Sequence, residues 1–224
     1  MKFRIHIPAM VLGLMSLSDS HAASIATEFV SFGAAGKALT PQDDTLGASW
    51  TTSGFDDSSW ISGPSPFGFG YQADLDLAEK TDLRVQMQGI NASTYLRFEF
   101  TLADPATVET LALDIYLDDG FTAYLNGIAV ASENAPSFPT WNSRAESGGE
   151  AFFNAPSSYN LDQSISHLIQ GDNVLAIHGM NASMGSSDFL IAPILRGTVN
   201  GVPEPRAITL LGLAALLAVK RSRN

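Results

Sequence analysis

The chain has 224 residues, no cysteine and a formal net charge of −11 at neutral pH. The missing thiols exclude disulfides, thiol catalysis, Cys-ligated zinc and iron–sulfur chemistry. Residues 23–202 hold six Lys or Arg against 21 Asp or Glu, and a surface that acidic repels nucleic acid and anionic lipid while favouring calcium and neutral polymers such as polysaccharides.

Residues 1–23 read as an export signal. Lys2 and Arg4 give a positive start, "AMVLGLMSLS" a short apolar helix, and "DSHAAS" small residues for cleavage after Ala22. The run is shorter than the roughly 20 apolar residues that span a bilayer. Residues 24–200 then form one domain, large enough to bury about 70% of its unfolded surface without a disulfide.

The first part of that domain is irregular. In "GFDDSSWISGPSPFGFGYQADLDL", Asp56 or Asp57 suits a turn cap leading to Trp60, which is expected in the core. Both aspartates are also oxygen donors that calcium could use, and Asp74 and Asp76 have the alternate spacing of some calcium loops without the flanking ligands. The segment carries Phe67, Phe69 and Tyr71 as well.

From residue 93 the pattern is that of strands. "STYLRFEFTL" alternates, with Leu96, Phe98, Phe100 and Leu102 on one face and Tyr95, Arg97, Glu99 and Thr101 on the other. "LALDIYLDD" puts Leu111, Leu113, Ile115 and Leu117 inward, with Asp114, Tyr116 and Asp118 outward. Asn126-Gly127 between two apolar runs predicts a type I′ hairpin, which needs positive φ at both residues. Residues 132–160 form a long connection with Phe138, Trp141, Phe152, Phe153 and Tyr159. Loops of that length in a compact domain are functional or disordered, so these aromatics mark a candidate binding face. "LDQSISHLIQG" is the one helical candidate, and "GDNVLAIHGM" and "SDFLIAPILRGTV" are late strands. The class is all-β.

Little of this carries chemistry. His178 is expected to be a satisfied residue of a sandwich face and His167 to be exposed. Metalloprotease, nucleophile-elbow and phosphate-loop motifs are lacking. Asn91-Ala92-Ser93 and Asn181-Ala182-Ser183 read as polar turns. Asp118-Asp119-Gly120 offers two adjacent carboxylates, either a turn or a calcium site. Glycoside hydrolysis needs only a pair of acids, which 21 acidic residues can supply by chance.

Residues 201–224 form a tripartite tail: Val202, Pro203, Glu204 and Pro205, an apolar run from Ala207 to Val219, and a basic end with Lys220, Arg221 and Arg223. The prolines hold the motif extended. The run makes a helix of about 20 Å, short for a hydrocarbon core of about 30 Å.

This tail resembles the PEP-CTERM sorting signal of Gram-negative bacteria that make exopolysaccharide. The resemblance implies recognition by an exosortase, a short transmembrane helix held transiently in the inner membrane, cleavage near the motif, and release to the cell surface or extracellular biofilm matrix. The order of "FDDSSW", "GPSPFGFGY", "TYLRFEFTL", "LDDGFTAYLNGIAVAS" and "GDNVLAIHGMNASMGSSDFLIAPIL" is similar to galactose-binding-domain-like jelly-roll β-sandwiches, and implies that fold over residues 45–197. Asp118-Asp119-Gly120 before "YLNG" also resembles PA14-type adhesins, which implies calcium held by Asp118 and Asp119. The expectation is an exported, exosortase-processed surface or matrix protein that is not an enzyme. It would bind exopolysaccharide or another glycan through Tyr71 and Trp141, with calcium at Asp118 and Asp119. A purely structural matrix protein making protein contacts is the alternative, and a secreted glycoside hydrolase comes last.

Overall fold

The computed structural model describes residues 23–71, 80–149 and 155–201. The expected signal helix, the sorting tail, Asp74, Asp76, Phe152 and Phe153 lie outside the described residues. Among the described residues no helix is long and apolar enough to cross a membrane.

Residues 24–201 make one unit built as two packed sheets. The strands are β1 (Ser24–Val30), β2 (Ala35–Leu39), β3 (Ile61–Pro64), β4 (Phe67–Phe69), β5 (Thr81–Asp82), β6 (Ser93–Leu102), β7 (Val108–Asp118), β8 (Gly120–Leu125), β9 (Ile128–Glu133), β10 (Ser157–Asn160), β11 (Gly171–Met180) and β12 (Phe189–Asn200). The first sheet runs β10-β7-β12-β4-β5, with β1 also paired to β12. The second runs β3-β2-β6-β11-β8-β9. The architecture is an all-β sandwich, as the alternating runs require.

The two inner faces meet in one apolar core. Leu96, Phe98 and Phe100 of β6 face Leu111, Leu113 and Ile115 of β7, with Phe121, Leu125, Ile177, Phe189 and Ile191 between them. Asn126 (φ 49°) and Gly127 (φ 93°) form the expected β8–β9 turn. The predicted helix is instead a single 3-10 stretch, Asp162–His167. Its Leu161, Ile165 and Leu168 face the core, and Asp162 Oδ1 accepts the Leu111 N–H at 2.8 Å, tying the stretch to β7. Six residues clamped at both ends do not continue as an α-helix.

The outer face of the second sheet is covered too, by the segment from Thr40 to Trp60. Trp50 stacks on Tyr95 with ring centres 4.0 Å apart and meets Tyr124 edge-on. Trp60, Val174 and Ala176 complete this second apolar cluster, so Trp60 is in a core as expected. Arg97, read from its alternation as outward, is only 1% exposed. Its Nε donates to Asp57 Oδ2 at 2.7 Å, and its Nη1 donates to the carbonyls of Trp50 at 2.5 Å and Thr52 at 2.9 Å. Lys37 also pairs with Asp57. Burial works against the Asp57 charge, but the Lys37 and Arg97 hydrogen bonds outweigh it and hold the carboxyl below its ordinary range. Asp56, the other member of the pair, accepts the Ser58 N–H as a turn residue.

Candidate functional site

Six strand ends gather at one end of the sandwich. Met180 pairs with Ser93 and Gly120, Phe121 with Glu133, and Leu190 with Asp118. The chain passes from the first sheet to the second there through a single residue, Asp119, between β7 and β8. The Asp118–Asp119 peptide bond is cis. Gly120 follows where a Cβ would lie 2.5 Å from the Asn134 carbonyl oxygen, so only glycine permits the close approach.

Asp118 and Asp119 have different environments. Asp118 is 2% exposed, and its Oδ2 accepts the Tyr71 hydroxyl at 2.5 Å. Burial pushes its pKa up to about 8. The Tyr71 hydroxyl opposes that rise, and Asp119 and Asp188 add to it. At neutral pH Asp118 is therefore mainly protonated. Asp119 instead accepts backbone donors on both oxygens, Gly149 N–H at 2.5 Å and Ala182 N–H at 2.7 Å.

A cleft of about 250 Å³ opens beside Asp119, with Glu133, Asn134, Ser147, Gly149 and Ser157 on its walls. Glu133, the exposed last residue of β9, accepts the Tyr159 hydroxyl through Oε2. Burial and the Glu133 charge push the Tyr159 phenol well above its ordinary value. Asn134 sits in the left-handed region at φ 52°, where Asn is tolerated because its side chain bonds locally. Its amide N–H groups donate to the carbonyls of Asp119 at 2.9 Å and Ser147 at 2.7 Å, and its Oδ1 accepts the Ser147 N–H at 3.0 Å. The 147–149 loop is thus fixed as one wall.

The residues chosen from sequence meet this site unequally. Asp118, Asp119 and Tyr71 come together. Tyr71, however, is 6% exposed and packs on Leu190 beneath Tyr116, so it supports Asp118 rather than presenting a ring to ligand. Trp141 is half-buried, and its carbonyl accepts the Asn91 amide at 3.1 Å. On the same loop Phe138 is 91% exposed. Among the described residues no three carboxylates or histidines converge as metal ligands. Asp119 accepts one N–H donor on each of its two oxygens.

Glu133 and Asn134 were not selected from sequence as site residues, whereas Tyr159 was among the loop aromatics that marked a candidate binding face. Asn134 and the Gly148-Gly149 pair carried a signal: a positive-φ residue and bare backbone N–H groups facing a carboxylate. His178 is buried as expected. Its Nε2 lies 2.8 Å from Ser93 Oγ, which in turn donates to the Ser143 carbonyl. The serine proton being used there, His178 Nε2 carries the hydrogen. Burial lowers its pKa to about 3. Asn91 and Asn181 are also buried, and the Asn181 N–H donates to the Ala92 carbonyl at 2.8 Å.

No protein-family model matches the chain, and no curated protein matches it. Among solved structures it is similar to a Bacteroides uniformis β-glucuronidase at 18% identity, covering 80% of this chain and 18% of that one, with a TM-score of 0.47. A β-glucuronidase from an uncultured Clostridium sp. is 11% identical over 82% of this chain and 30% of that one, TM-score 0.47. The Ruminococcus gnavus β-glucuronidase is 14% identical over 82% and 30%, TM-score 0.44. The chain spans less than a third of the length of each. The expectation of a non-catalytic glycan-binding or matrix protein is corrected to this extent: the solved structures that the chain is similar to are of β-glucuronidases.

Proposed function

We propose that the chain takes part in glycoside hydrolysis, with the cleft between Asp119 and Glu133 as the place where the sugar sits. The observation that carries this reading is that two carboxylates held in different ways line one cleft. Asp119 is fixed by two backbone N–H groups. Glu133 keeps one oxygen, Oε1, without a partner among the described residues. Glu133 in its protonated form passes a proton to the leaving glycosidic oxygen and, as the carboxylate it then becomes, takes one back from the water that adds at the anomeric carbon, while Asp119 stabilises the positive charge that develops on the ring. Protonated Asp118 sits behind Asp119 and does not touch substrate in this scheme.

Reducing ends released from soluble polysaccharides test the reading. Glu133→Gln is expected to lower the rate at least about a hundredfold, the usual share of one acid–base group, with an unchanged melting temperature. Release that is no greater than that of the Glu133→Gln protein would remove the assignment.

The address is a separate part of the proposal. We read the sandwich as a galactose-binding-like jelly roll, delivered by an export signal at 1–23 and sorted by the tail at 201–224 through Val202, Pro203, Glu204 and Pro205. An exosortase is the processing partner, and the cell surface or matrix of a Gram-negative bacterium is the destination. The mass of the protein recovered from its host is expected to lack residues 207–224. A full-length tail would contradict processing.

A further inference from the structure

Building on the reading of the cleft as a sugar site, we propose that it selects sugars bearing a protonated amine and rejects uronic acids. The hydrogen bonds already made around the two carboxylates favour this. The Asn134 N–H groups are spent on Asp119 and Ser147, the Gly149 N–H on Asp119, and the Tyr159 hydroxyl on Glu133. What Glu133 offers a ligand is an acceptor, Oε1. A uronate carboxylate brings only acceptors of its own, whereas an ammonium brings three donors and a charge.

Charge points the same way. The described lining residues include Asp119 and Glu133 but no Lys, Arg or His. The positive groups with assigned partners are elsewhere: Arg196 is paired with Asp114 on the first sheet, and Lys37 and Arg97 with Asp57 on the second. A carboxylate entering the cleft would therefore meet two like charges in a recess where water screens them less than on open surface.

Calorimetric titration of the full chain with three tetrasaccharides tests the inference: a glucosamine tetramer, its fully N-acetylated form and a galacturonate tetramer. The titrations are run at a pH that protonates the amine. The glucosamine tetramer is expected to bind about tenfold tighter than the acetylated one, the ratio that a single charge-assisted hydrogen bond supplies. Added salt and Glu133→Gln should each erase most of that ratio, and the galacturonate tetramer should show no heat. Tyr159→Phe, which removes a hydroxyl and leaves Glu133 in place, should preserve the preference.

Equal affinities for the first two sugars, or tighter binding of the galacturonate tetramer, would overturn the inference. Cleavage is scored in the same samples. Glucosamine preference without cleavage upholds the selectivity and removes the hydrolytic reading, while cleavage of both neutral and amino sugars at equal affinity does the reverse.

Discussion

Replacing Arg97 by methionine lowers the free energy of unfolding by about 3–5 kcal/mol, as expected when one partner of a buried ion pair is removed. The guanidinium is enclosed by the segment that crosses the second sheet. It serves Asp57 and the two carbonyls of Trp50 and Thr52 at once, with the Phe55 ring 5.3 Å from its centre. Methionine fills much of the volume but offers no donor, so the Trp50 and Thr52 carbonyls lose theirs and Asp57 keeps only Lys37. Lysine keeps the charge but cannot fork, and recovers only part of the loss. Urea unfolding followed by tryptophan fluorescence measures the effect, because Trp50 and Trp60 lie in the covering segment. A loss below about 1 kcal/mol, typical of an exposed pair, would mean that the segment is held by its apolar contacts alone.

The second large effect is on pH dependence. An ordinary Asp in the unfolded chain titrates near 4, while Asp118 in the folded chain titrates at about 8. Between those values the folded state keeps a proton that the unfolded state has released. The stabilisation from Asp118 is thus complete below about pH 4, falls by about 1.4 kcal/mol per pH unit at most as pH rises, and is gone above about 8. His178 acts in the opposite sense. With its pKa lowered by burial to about 3 from an ordinary 6.5, its contribution is full above about 6.5 and is lost as pH falls toward 3.

Above neutrality only the Asp118 slope of this pair remains. Asp118→Asn keeps an acceptor for the Tyr71 hydroxyl and never ionises. The variant should match the parent near pH 4 and exceed it in melting temperature at about pH 9. Parallel curves for the two proteins across that range would show that Asp118 is ionised in the fold at neutral pH.

The inner faces of β6 and β7 were legible because a period of two survives in a half-buried strand. The β8–β9 turn was legible because few residue pairs accept positive φ twice. Strands β3 and β4 were hidden in "ISGPSPFGF", where proline and glycine argue against pairing. Alternation also assigns residues to two faces without saying what covers the second face. Arg97 and Tyr95 looked outward because the segment that buries them comes from residues 40–60, distant in sequence.

The candidate site shows the same limit. Asp118 and Asp119 were found by their adjacency. Tyr159 was marked only as one aromatic of a long loop and Glu133 not at all, since nothing local shows that two residues meet across the edges of different sheets. Tyr71 was chosen as an aromatic in a loop, and only the packing of Leu190 and Tyr116 around it gives it a supporting place.

The strand β12 also determines how the sandwich answers to force. Its last residue, Asn200, lies at the end of the molecule opposite the cleft, and β1 and β7 flank it on its two sides. A load applied between a polymer held in the cleft and the chain leaving Asn200 runs along β12, so its rows of hydrogen bonds must slide together rather than open in turn. The same load applied between Ser24 and Asn200, neighbours in the β1–β12 ladder, peels the pairs apart one after another. The fold is therefore mechanically strong when pulled from the cleft and weak when pulled by both ends. A single-molecule trace should separate the two directions by a clear difference in rupture force.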